Sequence, residues 1–242
     1  MLFNTYQLNI SGFTVDVVRK SIKNLHLGVY PPSGRIRIAV PNKVTDEAIR
    51  LAIIDKLPWI KRKINQFEIQ PRQSKREMVN GESHYFLGQR YRLFIVESQH
   101  KNKVVIRNNS FIDLYVRPNA NLSTKEKVLH DWYRDNLKAL VNPLLEKWQL
   151  KLGVEVRECG IKKMKTKWGS CNIKAKRIWL NLELAKKPPQ CLEYVIVHEL
   201  VHLLERLHND RFTALMDTYL PNWRQFRQTL ATEPLGHCDW GE

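Results

Sequence analysis

The chain has 242 residues, of which 43% are hydrophobic and 26% charged, a composition typical of soluble globular proteins. No segment approaches the roughly 18 apolar residues of a membrane span, and the first 20 residues lack the basic and apolar regions of a signal peptide, so we expect a cytoplasmic protein that makes no membrane contact. The four cysteines include no C-x-x-C pair and fit reduced thiols better than a disulfide framework.

The net charge of +16 is the unusual bulk property. Residues 1–120 contain 20 Lys and Arg against 9 Asp and Glu, and residues 121–242 contain 20 against 15. A positive surface attracts polyanions such as DNA or RNA through a salt-dependent field, so the basic N-terminal half is a candidate surface for nucleic acid. The alternative is that clusters such as Lys61-Arg62-Lys63 are only solvated faces.

Residues 1–43 are predicted to form β-strands, because apolar residues alternate in three short runs. A helix should follow, with Thr45 as N-cap and acidic residues in its first turn. Its apolar face runs from Ile49 to Ile64, and Pro58 is expected to split or kink it. Period-2 alternation returns between residues 91 and 116, so this region is mostly β with one helix.

The character of the sequence changes near residue 120. Ser123 and Glu126 form a capping-box pattern, and apolar residues then continue at helical spacing to about Leu150. We therefore predict two domains: residues 1–120, basic and β-rich, and residues 121–242, which contain the motif described below. No internal repeat is visible.

Residues 154–184 are predicted to form a β-hairpin that turns around residues 172–175. In the second strand, apolar residues alternate with Trp179, Asn181 and Glu183, so one face should pack against the following helix. If this strand lies at a sheet edge, an extended peptide could pair with it through main-chain hydrogen bonds. The alternative is a central strand that merely supports the helix.

The segment Lys167-Trp168-Gly169-Ser170-Cys171 combines an aromatic ring, a glycine, a hydroxyl and a thiol, which suggests a loop lining a cleft. A structural turn with Trp168 and Cys171 buried explains it equally well. Cys171 is also a weaker candidate for a metal ligand or nucleophile, since a lone cysteine is more often a small buried hydrophobe.

The strongest signal is the H-E-x-x-H pattern of His198, Glu199 and His202. Two histidines four residues apart lie about 40° apart around a helix, so both imidazoles can reach one cation. Glu199 lies beside that cation, where its carboxylate can take a proton from a water activated by the metal. The flanking residues are apolar and predict a buried helix, in which polar groups need partners or a metal. The alternative is a pair of ordinary core histidines.

A catalytic zinc site usually has three protein ligands, and His208 is the preferred third. On a continuing helix it would lie roughly 240° from His202, so the helix must end near Leu207 and the chain must turn back. Asn209 or Asp210 is the predicted N-cap of the next helix. The rival is Glu205, which shares the histidine face but lies roughly 10 Å along the axis from His198.

These motifs together resemble the YgjP-like, SprT-related zinc metallopeptidases. The similarity covers nearly the whole chain and is carried by Arg19-Lys20-Ser21, Trp59-Ile60, Tyr85-Phe86-Leu87-Gly88, Met164 to Cys171, Leu180-Asn181, Tyr194 to His202, His208 and Phe212. The resemblance implies a zincin-like α+β catalytic domain with zinc held by His198, His202 and His208 and with Glu199 as general base. Lys167 stands where arginine is common in the family, and Leu207 where asparagine is frequent.

We therefore expect an α+β protein that acts as a zinc-dependent hydrolase, most simply a peptidase acting on protein or peptide substrates. Tyr194 and Trp168 are candidates for stabilising the oxyanion. The competing hypothesis is a nucleic-acid-associated protein whose basic N-terminal region docks DNA or RNA, with the zinc site acting on bound protein or vestigial. A purely structural zinc site is disfavoured, because three histidines leave an open position and Glu199 then has no role.

Overall fold

The computed structural model describes residues 5–30, 33–69, 76–164 and 166–232. Within them the chain forms two compact units, one over residues 5–69 and the other over residues 76–232. The first unit contains four strands and a helix: β1 (Thr5–Ile10), β2 (Phe13–Lys20), β3 (His26–Tyr30), β4 (Arg35–Pro41) and α1 (Asp46–Ile69). The predicted mixed α+β class is confirmed.

The sheet of the first unit has the strand order β1-β2-β4-β3, with β2 and β4 parallel and the other pairs antiparallel. Helix α1 covers one face with Ile49, Ile53 and Ile60, all fully buried. It begins at Asp46, directly after the predicted cap Thr45, whose hydroxyl accepts a hydrogen bond from the Ala48 N–H. The helix is not split at Pro58.

The second unit contains another sheet, a long helix and the segment that carries the H-E-x-x-H pattern. Its elements are β5 (Ser83–Phe86), β6 (Gln89–Glu97), β7 (Lys103–Arg107), β8 (Phe111–Val116), α2 (Leu122–Leu152), β9 (Glu158–Lys162), β10 (Gly169–Asn172), β11 (Arg177–Asn181), a 3-10 helix (Leu182–Lys186), α3 (Pro189–Val201), α4 (Asp210–Tyr219) and α5 (Trp223–Thr232). None of the helices in the described ranges combines the length and hydrophobicity needed to cross a bilayer.

The chain contains a structural repeat that its sequence does not reveal. The order β5-β6-β8-β7, with β6 and β8 parallel, repeats that of the first sheet, and each sheet is followed by a helix. Both repeats open with a two-residue hairpin turn in which both φ angles are positive, Ser11-Gly12 and Leu87-Gly88. Such turns match the twist of paired strands.

The division between the units differs from the predicted domain boundary near residue 120. The sheet β5–β8 shares one hydrophobic core with α2 and α3, and this core extends from Met78 to Leu230. The hydroxyl of Tyr133 in α2 also donates a hydrogen bond to the carbonyl of Tyr85 in β5, at 2.8 Å. The N-cap of α2 is Asn121 rather than Ser123, and its side chain accepts from the Thr124 N–H.

The predicted hairpin between residues 154 and 184 is partly wrong. The antiparallel hairpin consists of β10 and β11, and β9 pairs in parallel with the other side of β11. Strand β11 is therefore central and β10 lies at the edge. The chain leaves the sheet after Asn181, because the Asn181 side chain caps a 3-10 turn by accepting from the Glu183 N–H.

Candidate metal centre

Helix α3 carries the H-E-x-x-H pattern through the middle of the second unit. Pro189 occupies its first turn, where a missing N–H is tolerated, and nine of its residues are buried. His198 and His202 lie one turn apart on the same face, with ring centroids 4.9 Å apart. Glu199 is only 5% exposed, although it carries a carboxyl group.

The helix ends at Val201, about two turns earlier than the predicted end near Leu207. Tighter bonds replace the helical ladder there: the Leu203 N–H donates to the Leu200 carbonyl, and the Leu204 N–H to that of Val201. The backbone then turns back before Asn209, which caps α4 by accepting from the Phe212 N–H, as one of the two predicted caps.

This turn brings His208 back to His198 in α3 and to His202, the C-cap of that helix. Its ring centroid lies 5.0 Å from that of His198 and 4.7 Å from that of His202. One ligand-type nitrogen from each ring can be chosen so that all three lie within 4.8 Å of one another. The three predicted metal-site histidines therefore converge, and Phe212 at the start of α4 packs against all three rings.

The donor atoms of this cluster suit a zinc ion. The Nε2 atoms of His198 and His208 are 3.0 Å apart, and two nitrogens bound tetrahedrally at zinc would be about 3.4 Å apart. The Nδ1 of His202 lies 3.2 Å from the Glu205 carbonyl, so it can carry the proton and leave Nε2 as a lone-pair donor.

Burial favours the neutral, metal-binding form of His198 and His202. Burial, together with the neighbouring His202 and His208, lowers the pKa of His198 to about 3, and burial also lowers the pKa of His202. His208 is the most exposed of the three and closes the cluster on the solvent side.

The rival ligands lie elsewhere. The Glu205 carboxylate accepts from the Leu207 N–H at 3.1 Å and lies 3.9 Å from the Arg211 guanidinium, so it supports the turn. Cys171 lines the cleft described below, and burial raises the pKa of its thiol to about 11, which keeps it protonated. Among the described residues, neither belongs to the histidine cluster.

Glu199 faces the same space as the histidines. Burial raises the pKa of its carboxyl to about 8, while the positive charge of Lys167 acts in the opposite direction. A Cβ added to Gly169 in β10 would lie 2.5 Å from Glu199 Oε1. Because glycine has no side chain, the space beside it is free for the Glu199 carboxylate.

The cluster opens into a cleft of about 980 Å³ between α3 and the edge strand β10. Tyr194 and Trp168, the candidates for stabilising the oxyanion, both line it. Tyr194 is 7% exposed, and its ring packs edge-on against His198 with centroids 5.8 Å apart. Trp168 is half-buried, which agrees with a loop lining the cleft.

Asn181 is an important residue whose role the sequence does not reveal. It is fully buried, although strand alternation predicts that it faces away from the apolar side. Its Nδ2 donates to the carbonyls of Met164 and Lys167 at 2.9 and 2.8 Å, and its Oδ1 accepts from the Met164 N–H at 3.2 Å. Asn181 thereby fixes the loop that leads into Trp168 and Gly169.

Comparisons with known proteins give one family match. The family model described as "YgjP-like, metallopeptidase domain" matches residues 23–233. Two solved structures resemble part of the chain. The metallopeptidase zymogen of Pyrococcus abyssi abylysin has a TM-score of 0.36 and 20% sequence identity, and the match covers 39% of this chain and 98% of that chain. The metallopeptidase zymogen of Methanocaldococcus jannaschii jannalysin has a TM-score of 0.32 and 24% sequence identity, and the match covers 39% of this chain and 92% of that chain. No curated protein matches the chain.

Proposed function

The chain belongs to the YgjP-like metallopeptidase family, and we propose that it is a zinc-dependent peptidase in which His198, His202 and His208 hold the metal and Glu199 is the general base. One observation carries this proposal: a backbone turn collects three imidazoles on the same cleft as a buried carboxylate. Structural zinc sites normally close with four protein ligands, so a cluster of three suits catalysis better.

Zinc, when bound, supplies Lewis acidity that lowers the pKa of water toward 7 and polarises the scissile carbonyl. Glu199 accepts the proton of the attacking water and then delivers it to the leaving amine, so the carboxylate is restored after each cycle. The positive charge of Lys167 lowers the pKa of Glu199, and a neighbouring metal cation acts in the same direction.

The edge strand β10 is the proposed site for the substrate backbone. One side of β10 pairs with β11, and its other side borders the cleft. An extended peptide can add to such an edge through main-chain hydrogen bonds, which hold it without demanding a particular sequence. We propose that Trp168 and Tyr194, at opposite sides of the cleft, lie nearest the oxyanion that develops during the reaction.

The test combines metal analysis with one isosteric substitution. We expect about one zinc per chain in the purified protein and cleavage of unstructured peptides that a chelator abolishes. Glu199→Gln should keep the metal and the fold but lower turnover at least ~100-fold, since general catalysis contributes about that much or more. Glu155→Gln, which changes an exposed carboxylate paired with Lys176, is the matched control and should retain activity. Activity that survives Glu199→Gln would refute its assigned role.

Nucleic-acid docking by the basic N-terminal half stays a prediction. Several of its cations are already paired with carboxylates: Arg19 with Asp46 at 2.7 Å, Arg35 with Asp16 at 2.5 Å and Arg107 with Asp113 at 2.7 Å, for example. Docking predicts binding to long duplexes that weakens steeply as salt is raised, with a slope set by the number of phosphate contacts. Binding that is absent or insensitive to salt would remove this function.

A further inference from the structure

The residues that line the cleft carry a net positive charge. Among the described residues that line it, three are cations, Lys167, Lys174 and Arg206, and Glu199 is the only carboxylate. The cations come from three separate segments: the loop before β10, the turn between β10 and β11, and the turn after α3. The positive charge is thus distributed around the cleft rather than concentrated at one point.

None of these three cations forms an ion pair with a carboxylate in the described part of the chain, and all three are exposed. Nearby basic residues behave differently. Lys176, two residues after Lys174, lies 3.0 Å from Glu155, and Arg177 lies 2.6 Å from Glu158. The cations of the cleft therefore remain available for charges brought in by a ligand.

From this distribution we propose that the substrates are acidic peptides, with Asp or Glu side chains on both sides of the scissile bond. The inference rests on the proposed peptidase function. Lys167 precedes β10 and Lys174 follows it, so a peptide extended along Gly169–Asn172 meets a cation near each end of the strand. Arg206 lies on the other wall, beside the histidine cluster.

The size of the effect follows from the exposure of the cations. An exposed ion pair strengthens binding about 1.5- to 5-fold. A cleft that carries one sign of charge also focuses its field on the ligand, and this attraction weakens with salt. Three such contacts multiply to a preference of about 3- to 125-fold over a neutral peptide of the same shape, and we expect about tenfold or more, near the middle of this range.

The experiment compares two fluorogenic peptide pools with the zinc-loaded protein. Both have the same randomised residues at the cleavage positions, flanked by Asp and Glu in one pool and by Asn and Gln in the other. We expect kcat/KM to be about tenfold or more higher for the acidic pool at 50 mM salt, and this ratio to fall as salt is raised to 500 mM. Equal rates for the two pools at 50 mM salt would overturn the acidic preference while leaving the peptidase function intact.

A pair of double variants places the preference in the cleft. Lys174→Gln with Arg206→Gln should lower the acidic-to-neutral ratio at least threefold. Lys61→Gln with Arg62→Gln removes the same charge from exposed positions of α1 and should leave the ratio unchanged. An equal loss in both double variants would show a general attraction to the basic protein and would overturn the proposal. Lys167 is left intact because its charge acts on Glu199.

A binding measurement separates this proposal from the proposed function. Fluorescence anisotropy of the same pools with the Glu199→Gln protein does not depend on turnover. Preferential binding of the acidic pool, with no cleavage by the wild-type protein, would support acidic recognition and refute the peptidase. Equal or absent binding of both pools would overturn acidic recognition. So would a DNA oligomer that displaces the bound acidic pool as well as unlabelled acidic peptides do.

Discussion

Gly169 and Glu199 occupy adjoining space across the cleft, so tightly that a single methyl group on Gly169 would lie 2.5 Å from Glu199 Oε1 and 2.8 Å from its Cγ. Gly169 belongs to the edge strand β10 and Glu199 to helix α3. The general base proposed for the reaction is therefore positioned by the strand proposed to bind the substrate.

Gly169→Ala should displace the Glu199 carboxylate, because such contacts are closer than van der Waals packing allows. We expect kcat/KM to fall at least tenfold, since a misplacement of about 1 Å can lower the rate by two orders of magnitude. Zinc content should stay unchanged, because the three histidines are not touched. In the Glu199→Gln background the same alanine should cause little further loss, as expected for residues that act together. Additive losses would contradict this coupling.

The site can be predicted from sequence where a local rule forces the geometry. The i,i+4 spacing of His198 and His202 places them on one face, and the capping preference of Asn209 marks where a new helix begins. These two rules require a turn in between, and His208 lies directly before the cap. Where α3 ends is not predictable in this way, because the 3-10-type bonds after Val201 are made by backbone groups that every residue type has.

The remaining differences arise where long-range pairing decides the fold. Alternation identifies the strands around residues 158–181, but it does not say that β9 runs parallel to β11, nor which strand is the edge. Asn181 and Glu183 are polar residues in a strand-like pattern, which suggests solvent exposure. The burial of Asn181 depends on its bonds to the Met164 and Lys167 carbonyls, 17 and 14 residues earlier in the chain, which no local rule brings close.

The choice between His208 and Glu205 as third ligand can be tested by metal affinity. His208→Ala removes one of three donors and should weaken zinc binding at least about 100-fold, since loss of even a residue that orients a ligand weakens it 10- to 100-fold. Glu205→Gln should change the affinity by less than about threefold, because its carboxylate only supports the turn. Competition with a chromogenic chelator measures both. A larger loss in the Glu205 variant would make Glu205 the ligand.

Asn181→Asp should destabilise the protein out of proportion to its small change in volume. The substitution replaces the Nδ2 donor with a carboxylate oxygen facing the Met164 and Lys167 carbonyls in a fully buried site. We expect the free energy of unfolding in urea to fall by about 3 kcal/mol, as for a buried charge with one oxygen that faces only acceptors. Asn172→Asp is the control, because this exposed side chain only accepts a bond from the Ala175 N–H. Its stability should change by less than ~0.5 kcal/mol, and an equal effect at both positions would remove the anchoring role of Asn181.

His130 in α2 should make the protein less stable at mildly acidic pH. Burial, together with the positive charges of Lys163 and Lys186, lowers the pKa of this ring to about 4. An unfolded histidine titrates near 6.5, so above that pH the ring is neutral in both states. As the pH falls from 6.5 toward 4, the unfolded chain binds a proton that the folded chain does not, and the free energy of unfolding decreases.

The expected size of this effect is about 1 kcal/mol between pH 6.5 and 5, below the full linkage value of about 1.6 kcal/mol because the ring is only partly buried. Urea unfolding of the wild type and of His130→Gln across this range isolates the contribution, since every other titrating group is common to both. The wild-type curve should fall more steeply than that of His130→Gln, while His100→Gln, an exposed position in the same unit, should follow the wild type. Parallel curves for the wild type and His130→Gln would show that His130 takes up its proton equally in both states, and the low pKa of the folded ring would then be wrong.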